Sequence, residues 1–369
     1  MQRLVLLGGG HAHVHVLDAL GGRPPADVET VLISPYTRQV YSGMLPGWIA
    51  GHYHIDQCTI PLDVLAGRCG CRHVVSHGLA VDFEKRLVLC ADGSKMAFDV
   101  LSIDVGPVAD LAHIQGAEQF ALPVRPLESF IAGWEAILAQ ARIRSRAHLA
   151  IIGGGAGGVE LALNMQYRLV REIGATEVKI ALVSGTSALF PGHAEGVRKR
   201  LSRLLSDRGI ETVTGVFVAA VDSQGVYLAN RELLPAEQSI LATGAAAPQW
   251  PRESGLVCDE EGYILVNEHL QSVSHANVFA AGDVATMQDH PRPKSGVYAV
   301  RAGPPLAENL RRALRGETLL DYVPQRRALY LIGTGDRSAV ASWGPLSWEG
   351  RWVWNWKDRI DRKFIARYQ

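Results

Sequence analysis

The sequence predicts an α/β protein built on two parallel sheets, and three features indicate this fold class. A short apolar strand, a run of glycines and a helical pattern follow one another near the amino terminus. The same succession returns 145 positions later, where Gly153 takes the place of Gly8. A third apolar segment, residues 277–283, ends in Gly-Asp. With 369 residues, of which 47% are hydrophobic, the chain is long enough for two or three domains.

Composition excludes several classes of protein. Lys plus Arg and Asp plus Glu both number 37, so overall basicity gives no reason to expect a nucleic-acid partner. The five cysteines form no C-x-x-C pair, which argues against a vicinal redox disulfide and a zinc ribbon. No apolar run approaches the roughly 20 residues that a membrane span needs. We expect a cytoplasmic protein, at most peripheral to the inner face of the membrane.

The first glycine loop opens the chain. Residues 3–7 form a short apolar strand, Gly8, Gly9 and Gly10 follow, and a helical pattern covers residues 12–20. Glycines allow a tight turn, and the helix amino terminus then presents free amides and a positive dipole to a pyrophosphate. His13 stands where the third glycine of a G-x-G-x-x-G motif belongs, so this copy is incomplete.

The second glycine loop is complete. Strand 148–152 leads into Gly153, Gly155 and Gly158 of a full G-x-G-x-x-G, and a helix follows from Val159. Two copies, each placed between a strand and a helix, predict two dinucleotide-binding βαβ units and therefore two Rossmann-like domains. The alternative is a pair of glycine turns without a ligand.

A second repetition supports a duplicated architecture. A hairpin at Asp92-Gly93 precedes the strand 100–105, which stops at Gly106. A hairpin around Asn230 likewise precedes the strand 239–242, which ends in Thr243-Gly244. Each half of the protein is thus predicted to end with a hairpin that leads into a buried strand.

Both positions for a ribose-binding acid carry serine. The second strand of the first unit ends in Ser34, and that of the second unit ends in Ser184. A serine hydroxyl can bind a ribose but is a less diagnostic partner than a carboxylate. No Lys or Arg follows Ser184 closely, so the choice between NADH and NADPH stays open.

Together with these loops, the apolar strand that ends in Gly282-Asp283 resembles the pyridine nucleotide-disulfide oxidoreductase superfamily, over residues 3 to about 320. The resemblance implies a glutathione-reductase-like fold with FAD as cofactor and NAD(P)H as its partner. It implies FAD contacts at Gly8, Gly9, Gly10, His11, Ala12, Ser34, Tyr41, Pro46, Gly106, Gly282, Asp283, Gly296, Val297 and Tyr298. It implies nicotinamide-nucleotide contacts at Gly153, Gly155, Gly158, Ser184, Thr243 and Gly244.

Three stretches resemble a bacterial subgroup associated with selenide, water dikinase: residues 7–15, 41–47 and 352–357. The overall pattern is also similar to type II NADH dehydrogenases and sulfide:quinone reductases. Residues 39–46 lack the cysteines of the disulfide reductases, which excludes a thiol relay there. Cys58, Cys69 and Cys258 do not match the cysteines that the sulfide:quinone pattern requires.

Two residues are predicted to act in catalysis. Glu160 lies in the first turn of the second helix, where an acid also complements the helix dipole; in the quinone-reducing relatives a glutamate here lies near the flavin. Lys294 precedes a helix whose amino terminus, at Gly296, lies at the flavin N1–C2=O edge if the resemblance holds, and Lys294 could add charge there. The alternative is a solvated loop lysine. His11, His13 and His15 are expected around the FAD pyrophosphate, and no metal is predicted.

The carboxyl-terminal region is rich in tryptophan and basic residues. Trp356, Ile360 and Phe364 recur on one helical face, and residues 351–369 carry six basic and two acidic residues. An aromatic, basic helix suits a membrane surface, its own domain or a second subunit. Strands at 327–332 and 338–342 predict that a small α+β region precedes it.

These observations predict three regions and one reaction class. The FAD domain covers residues 1–120 and 246–320, the NAD(P) domain 121–245, and the carboxyl-terminal region 321–369. The expected activity is hydride transfer from NAD(P)H through FAD to a small acceptor, a quinone or a small sulfur or selenium compound. A non-catalytic flavin-binding redox sensor and a peripheral membrane NADH:quinone or sulfide:quinone reductase are the alternatives, and a homodimer is an open possibility.

Overall fold

The computed structural model describes residues 1–22 and 27–369. Its helices are α1 (His11–Gly22), α2 (Leu45–Ile49), α3 (Leu62–Arg68), α4 (Ala117–Phe120), α5 (Leu127–Arg144), α6 (Ala156–Ile173), α7 (Glu195–Asp207), α8 (Trp250–Glu253), α9 (Gly296–Arg315) and α10 (Arg351–Tyr368). Its strands are β1 (Gln2–Leu7), β2 (Val28–Ser34), β3 (Arg38–Val40), β4 (Thr59–Pro61), β5 (Arg72–Val75), β6 (Gly78–Asp82), β7 (Leu87–Cys90), β8 (Lys95–Ala97), β9 (Val100–Ile103), β10 (Val108–Ala109), β11 (Ala121–Pro123), β12 (Ala147–Ile152), β13 (Val178–Ser184), β14 (Glu211–Thr214), β15 (Val218–Asp222), β16 (Gly225–Leu228), β17 (Leu233–Pro235), β18 (Gln238–Leu241), β19 (Ala245–Ala246), β20 (Ile264–Val266), β21 (Val278–Ala280), β22 (Ala285–Met287), β23 (Tyr330–Gly333), β24 (Ala339–Trp343) and β25 (Leu346–Gly350).

Two five-stranded parallel sheets form the centre of the molecule. The first has the order β21-β9-β1-β2-β5 and the second the order β11-β18-β12-β13-β14. In each sheet the strand that leads into a glycine loop, β1 or β12, is the central one. Such strands are continuous apolar runs because both faces are covered, and residues 4–7 are almost fully buried. The predicted α/β class with two Rossmann-like units is confirmed.

Each unit also carries a three-stranded antiparallel sheet, β6-β7-β8 in the first and β15-β16-β17 in the second. These are the two predicted hairpins with one added strand each. Strand β21 lies parallel to β9, and Val278 pairs with Leu101, which lies 177 positions earlier in the sequence. The first sheet is therefore assembled from both ends of the chain, and the exact domain boundaries stay a prediction.

The carboxyl-terminal region consists of the antiparallel sheet β23-β24-β25 followed by α10. The third strand, β25, was not predicted. Helix α10 packs on this sheet, and its buried side chains include Val353, Asp361 and Ile365. Within the described ranges, no helix combines the length and the apolar character needed to cross a bilayer.

Helix α9 contains two consecutive prolines in its interior. A proline within a helix usually interrupts it, yet α9 runs unbroken from Gly296 to Arg315 across Pro304 and Pro305. A proline removes one backbone donor, but tertiary packing can outweigh that loss. Here Gly303 lies so close to α1 that a Cβ atom on it would come within 2.7 Å of the His15 Cβ. The tight α1–α9 contact holds the helix together across both prolines.

Candidate active site

The two flavin-associated turns of the sequence meet at one buried carboxylate. A Cβ atom placed on Gly10 would lie 2.2 Å from the Asp104 carboxylate, and one placed on Gly282 would lie 2.4 Å from it. Both glycines are therefore required by the close approach of Asp104, which is 2% exposed. The amino-terminal loop and the Gly282-Asp283 turn thus lie side by side, more than 270 residues apart in sequence.

Asp104 was not among the predicted site residues. One of its oxygens accepts hydrogen bonds from the amides of Ala12 at 2.8 Å and His13 at 3.1 Å, so it caps the first turn of α1. Burial raises the pKa of Asp104 to about 7, although the two amides favour the charged form. The internal repeat could have revealed it, because Asp104 stands at the end of β9 where Ala242 follows β18 in the second unit.

His13 replaces the third glycine of the first loop and is completely buried. Its Nδ1 lies 2.6 Å from the carbonyl of Gly8, and its Nε2 lies 2.8 Å from the hydroxyl of Ser102. A carbonyl can only accept, so Nδ1 donates and Nε2 accepts from the serine. Burial lowers the pKa of His13 to about 4, and the ring is neutral. It links the glycine loop to β9 from within the core.

The other two histidines of the segment point to different partners. His11 Nδ1 lies 2.9 Å from the amide nitrogen of Gln39, and His15 Nδ1 lies 3.2 Å from the hydroxyl of Tyr368. Burial, aided by Arg125, lowers the pKa of His11 to about 4. The three rings do not converge on a common point. His11 and Ala12 lie at the start of α1, as the predicted pyrophosphate site requires.

The described residues of the first loop fit an FAD pyrophosphate. No hydrogen bond is formed by the amides of Gly9 and His11 in the described part of the chain. Free amides at the start of a helix bind phosphate oxygens. A Cβ atom on Gly106 would meet nothing within 4 Å, so space is open beside the end of β9. Asp283 is buried, and Arg125 lies 3.4 Å from its carboxylate.

The second loop forms a similar cradle with different chemistry. Cβ atoms on Gly155 and Gly244 would meet nothing within 4 Å, so both border open space that a nucleotide can fill. A Cβ atom on Gly158 would instead lie 1.8 Å from the carbonyl oxygen of Gly153. Gly158 thus allows α6 to approach the loop closely. Thr243 lies between β18 and Gly244, the residue that borders open space. These residues fit a nicotinamide nucleotide.

Both predicted ribose positions are buried serines. Ser34 donates to the carbonyl of Tyr36 at 3.2 Å, and the Ser184 hydroxyl lies 2.8 Å from that of Thr186. The neighbouring Gly185 lies under the ring of Phe217, which is 72% exposed. Phe217 was not predicted, and an exposed aromatic beside a nucleotide loop is suited to stacking on a base.

The segment 41–46 lies beneath α10. The Tyr41 ring stacks on Phe364 with centroids 4.5 Å apart, and it lies 5.6 Å from the His11 ring. Its hydroxyl donates to Asp361 at 3.2 Å. Pro46 is buried in α2. The segment therefore joins the start of α1 to the carboxyl-terminal helix.

Glu160 is partly buried beneath the carboxyl-terminal sheet. Its carboxylate accepts a hydrogen bond from the amide of Gly333 at 2.7 Å. Burial raises the pKa of Glu160 to about 7, although the positive charge of Lys357 acts to lower it. Lys357 donates to the carbonyl of Gly43 at 2.5 Å and to Asp361 at 2.7 Å. Burial alone would lower the pKa of Lys357, but Asp361 and Glu160 together raise it. Three charged groups thus meet where α6, α10 and the segment 41–46 converge.

Lys294 does not extend into solvent. Its ammonium donates to the carbonyl of Ala285 at 2.6 Å and to the Thr286 hydroxyl at 2.7 Å, and it lies 3.8 Å from the centroid of the Tyr263 ring. Burial lowers its pKa to about 8. The alternative of a solvated loop lysine is therefore wrong.

The amino terminus of α9 faces the segment 41–46. A Cβ atom on Gly296 would lie 3.6 Å from the Ser42 hydroxyl. The first backbone bond of the helix runs from the amide of Tyr298 to the carbonyl of Ser295, which leaves the amides of Gly296 and Val297 without a helical partner. The predicted flavin-edge residue Gly296 therefore lies beside Ser42, within the segment 41–46.

The fold and its two glycine cradles define a flavin- and nicotinamide-dependent oxidoreductase. Residues 2–303 match the pyridine nucleotide-disulphide oxidoreductase family, and the chain belongs to that family. An NADH dehydrogenase-like protein of Mycobacterium tuberculosis is 28% identical over 295 residues, which cover 77% of this chain and 73% of the relative. A type II NADH:quinone oxidoreductase of Staphylococcus epidermidis is 23% identical, covering 87% of this chain and 85% of that protein.

Solved structures agree on the fold. The sulfide:quinone oxidoreductase of Aquifex aeolicus superposes with a TM-score of 0.84 and 18% identity, covering 100% of this chain and 91% of that one. NDH2 of Plasmodium falciparum, solved with NADH, gives a TM-score of 0.78 and 15% identity over 100% of this chain and 97% of its own. The prediction of an FAD-dependent NAD(P)H oxidoreductase is confirmed.

Proposed function

We propose that this enzyme transfers electrons from NADH or NADPH to a quinone, which is reduced beneath α10. The observation that carries the proposal is the buried group of Glu160, Lys357 and Asp361 between the second nucleotide loop and the segment 41–46. The relatives that are named for NADH dehydrogenase and NADH:quinone activity support it. Bound FAD supplies hydride acceptance from the nicotinamide and electron transfer to the acceptor.

The buried group can handle the protons of such a reaction. Reduction of a quinone to a quinol takes up two electrons and two protons. The hydride of NAD(P)H supplies both electrons and one proton, and the second proton comes from solvent. Glu160, with a pKa of about 7, can hold or release a proton near neutral pH. Lys357 holds Asp361 and the Gly43 carbonyl in place, and its charge favours an anion developing nearby.

A sulfide-oxidising reaction is the second candidate, suggested by the likeness to the Aquifex aeolicus fold. It would need a reactive thiol beside the flavin position. Cys58 lies against the segment 41–46, with its Sγ 4.0 Å from the Met44 carbonyl. Burial raises its pKa to about 12, which keeps it a thiol at neutral pH. The quinone-linked NAD(P)H reaction is therefore the better match.

The resemblance to the subgroup associated with selenide, water dikinase stays a prediction, and it favours no acceptor. A flavin-binding sensor would need the same two cradles. Glu160, Lys357 and Asp361 favour an enzyme over a sensor, because an acid whose pKa is raised to about 7 beside a charged pair is typical of a catalytic site.

We propose that α10 also meets the membrane surface, where quinones reside. Its outward face carries Trp352, Trp356 and Ile360, which are 54%, 39% and 41% exposed, and the two indoles are stacked. The predicted face is partly wrong, because Phe364 packs inward on Tyr41. Lys357 likewise belongs to the buried group and not to the basic surface.

The membrane proposal is tested by flotation with liposomes of neutral lipid. Trp352→Ser/Trp356→Ser is expected to lose most of its flotation while it keeps NAD(P)H-driven flavin reduction. Deletion of residues 351–369 is unsuitable for this test, since it also removes Lys357 and Asp361. Flotation equal to that of the unsubstituted enzyme would contradict the membrane contact.

The acceptor is tested with FAD-reconstituted enzyme, first reduced anaerobically by NADH or NADPH. A water-soluble quinone is expected to reoxidise it quickly, whereas oxidised glutathione is expected to leave it reduced. Lys357→Met should slow reoxidation by quinone much more than reduction by the nicotinamide. Equal reoxidation rates for Lys357→Met and the unsubstituted enzyme, or no reaction with any quinone, would contradict the proposal.

A further inference from the structure

A cleft of about 590 Å³ opens at the far end of α6, outside both nucleotide cradles. It lies between the end of α2, the second half of α6, the turn between β23 and β24, and the start of α10. Four arginines line it: Arg168, Arg171, Arg337 and Arg351. Arg171 lies 11 residues beyond Glu160 on the same helix, which places it roughly 16 Å further along the axis.

The acidic residues of the cleft are already neutralised. Glu172 pairs with Arg142 and Arg168, both at 2.8 Å. Asp336 pairs at 3.0 Å with Arg208, which lies outside the cleft lining. The carboxylates therefore have little charge left for the other arginines.

Three arginines of the cleft have no acidic partner. In the described ranges no carboxylate lies within 4.0 Å of Arg171, Arg337 or Arg351. The Arg171 guanidinium donates to the Tyr167 hydroxyl at 2.8 Å, and that of Arg337 lies 5.7 Å from the centroid of the Trp354 ring. Such contacts orient a guanidinium but leave most of its donors unused, since each has five.

The wall of the cleft is fixed by short-range contacts. His52 Nε2 donates to the carbonyl of Gly335 at 2.7 Å, which ties the end of α2 to the turn that carries Arg337. The Arg168 guanidinium packs against Gly51, so that a Cβ atom on Gly51 would lie 1.7 Å from it and would displace the arginine. These contacts hold α2, α6 and the β23–β24 turn together, and the arginines of α6, of the turn and of the start of α10 line one volume.

We propose that this cleft binds a phosphate-bearing anion. Arginine forks match phosphate oxygens in pairs, and their positive field is otherwise uncompensated on this surface. A phosphate there would link α2, α6 and the start of α10. Two sources share this chemistry, a free phosphate compound and the headgroup of an anionic lipid. Trp352, next to Arg351, is 54% exposed, so either source can reach the cleft from that side.

The experiment uses the FAD-loaded enzyme with two probes. Inorganic phosphate is titrated at constant ionic strength and followed by tryptophan fluorescence. Vesicles of phosphatidylcholine, with and without phosphatidylglycerol, are used in flotation. The test variant is Arg171→Gln/Arg337→Gln. The control, Lys95→Gln/Arg231→Gln, removes the same charge at two exposed sites that form no ion pair in the described structure.

Binding of phosphate that is weakened at least tenfold in the test variant, and unchanged in the control, supports a free phosphate ligand. Flotation that phosphatidylglycerol increases over phosphatidylcholine alone supports a lipid headgroup, provided that the increase is lost in the test variant and kept in the control. The proposal is overturned if phosphate does not bind and phosphatidylglycerol does not increase flotation. It is also overturned by equal weakening in both variants, which would indicate diffuse charge. Flavin reduction by NAD(P)H is measured in parallel; it does not depend on the cleft, so failure of the redox proposal would be seen separately.

Discussion

The two glycine loops share one backbone and differ in what fills it. In each, a Cβ atom on the first glycine, Gly8 or Gly153, would lie 2.3 Å from a carbonyl oxygen, that of Asp104 or Ala242. The amide of Gly8 donates to Ile33 at 2.8 Å, and that of Gly153 donates to Val183 at the same distance. The main chain is therefore repeated almost bond for bond.

The side chains of the two loops diverge. The first loop buries His13 and Asp104, and the second has Gly158 and Ala242 at the same positions. A buried polar side chain can stand in the place of the third glycine only when all its hydrogen-bonding groups find partners. His13 meets this condition, because its two ring nitrogens contact Gly8 and Ser102. The loop geometry, rather than the complete motif, therefore defines the nucleotide cradle.

The largest expected effect follows from completing the first motif. His13→Gly would give the first loop a full G-x-G-x-x-G. It would also leave the Gly8 carbonyl and the Ser102 hydroxyl without a partner and open a cavity in the core. We expect the free energy of unfolding to fall by roughly 3 kcal/mol. Urea denaturation measures this. Unchanged or higher stability would mean that the histidine is not structural.

The second-largest effect concerns the residue that lies seven positions after the first glycine of each loop, Gly8 or Gly153. It is His15 in one loop and Glu160 in the other, and both reach the carboxyl-terminal region. Glu160→Gln is expected to slow quinone reduction roughly thirtyfold, about 2 kcal/mol, because the buried group loses its titrating acid. His15→Gln serves as the matched control and is expected to change the rate less than twofold. Stopped-flow reoxidation of reduced enzyme gives both rates, and equal slowing would break the distinction.

A smaller effect is expected from the pH dependence of FAD binding. The pKa of Asp104 rises in the folded protein from 3.8 to about 7, so its protonated form adds stability that is fully present below about pH 4 and is lost as the pH rises through 7. An ionised Asp104 also repels a pyrophosphate. The affinity for FAD should therefore fall between pH 6 and 8. Above the pKa of Asp104 it should fall by at most roughly tenfold for each pH unit.

Asp104→Asn removes this titration, since an amide stays neutral. We expect its FAD affinity to be nearly flat over that pH range and to exceed that of the unsubstituted protein at the alkaline end. Fluorescence titration of apoprotein with FAD measures both profiles. Asp289→Asn, at an exposed site, is the control. Parallel profiles for Asp104→Asn and the unsubstituted protein would contradict the role of Asp104.

The smallest effect concerns the two serines at the ribose positions. Ser184→Asp places a carboxylate where a 2′-phosphate would bind, so the preference for NADH over NADPH should rise about fivefold, roughly 1 kcal/mol. Ser34→Asp, the same change in the first loop, should leave that preference unchanged. Steady-state kcat/KM values for both nucleotides give the ratio. A shift caused by Ser34→Asp would mean that the two loops have been assigned to the wrong nucleotides.

Local patterns in the sequence were enough to predict the two units. Glycine loops between a strand and a helix, and hairpins before a buried strand, are signals within about 30 residues. They predicted the positions of Gly8, Gly153 and Gly282, because backbone turns depend on nearby residues.

The polar contacts inside the site were beyond such reasoning. Asp104 meets Ala12 across 92 residues, and Lys357 meets Gly43 across 314. No periodicity marks such pairs, because they depend on how distant elements pack. For the same reason the inward turn of Phe364 could not be predicted from the helical spacing alone, which fits either side of the helix equally well.

We propose that the first loop holds FAD and that the second holds the nicotinamide. Anaerobic stopped-flow reduction of FAD-loaded Gly158→Ala and unsubstituted enzyme, with NADH and with NADPH, tests this assignment. The added methyl group would lie 1.8 Å from the Gly153 carbonyl. We predict that the unsubstituted flavin bleaches rapidly, whereas the variant keeps its FAD and bleaches only slowly. A variant that loses FAD but whose remaining flavin is reduced at the normal rate, or an unsubstituted flavin that neither nucleotide reduces, would contradict the claim.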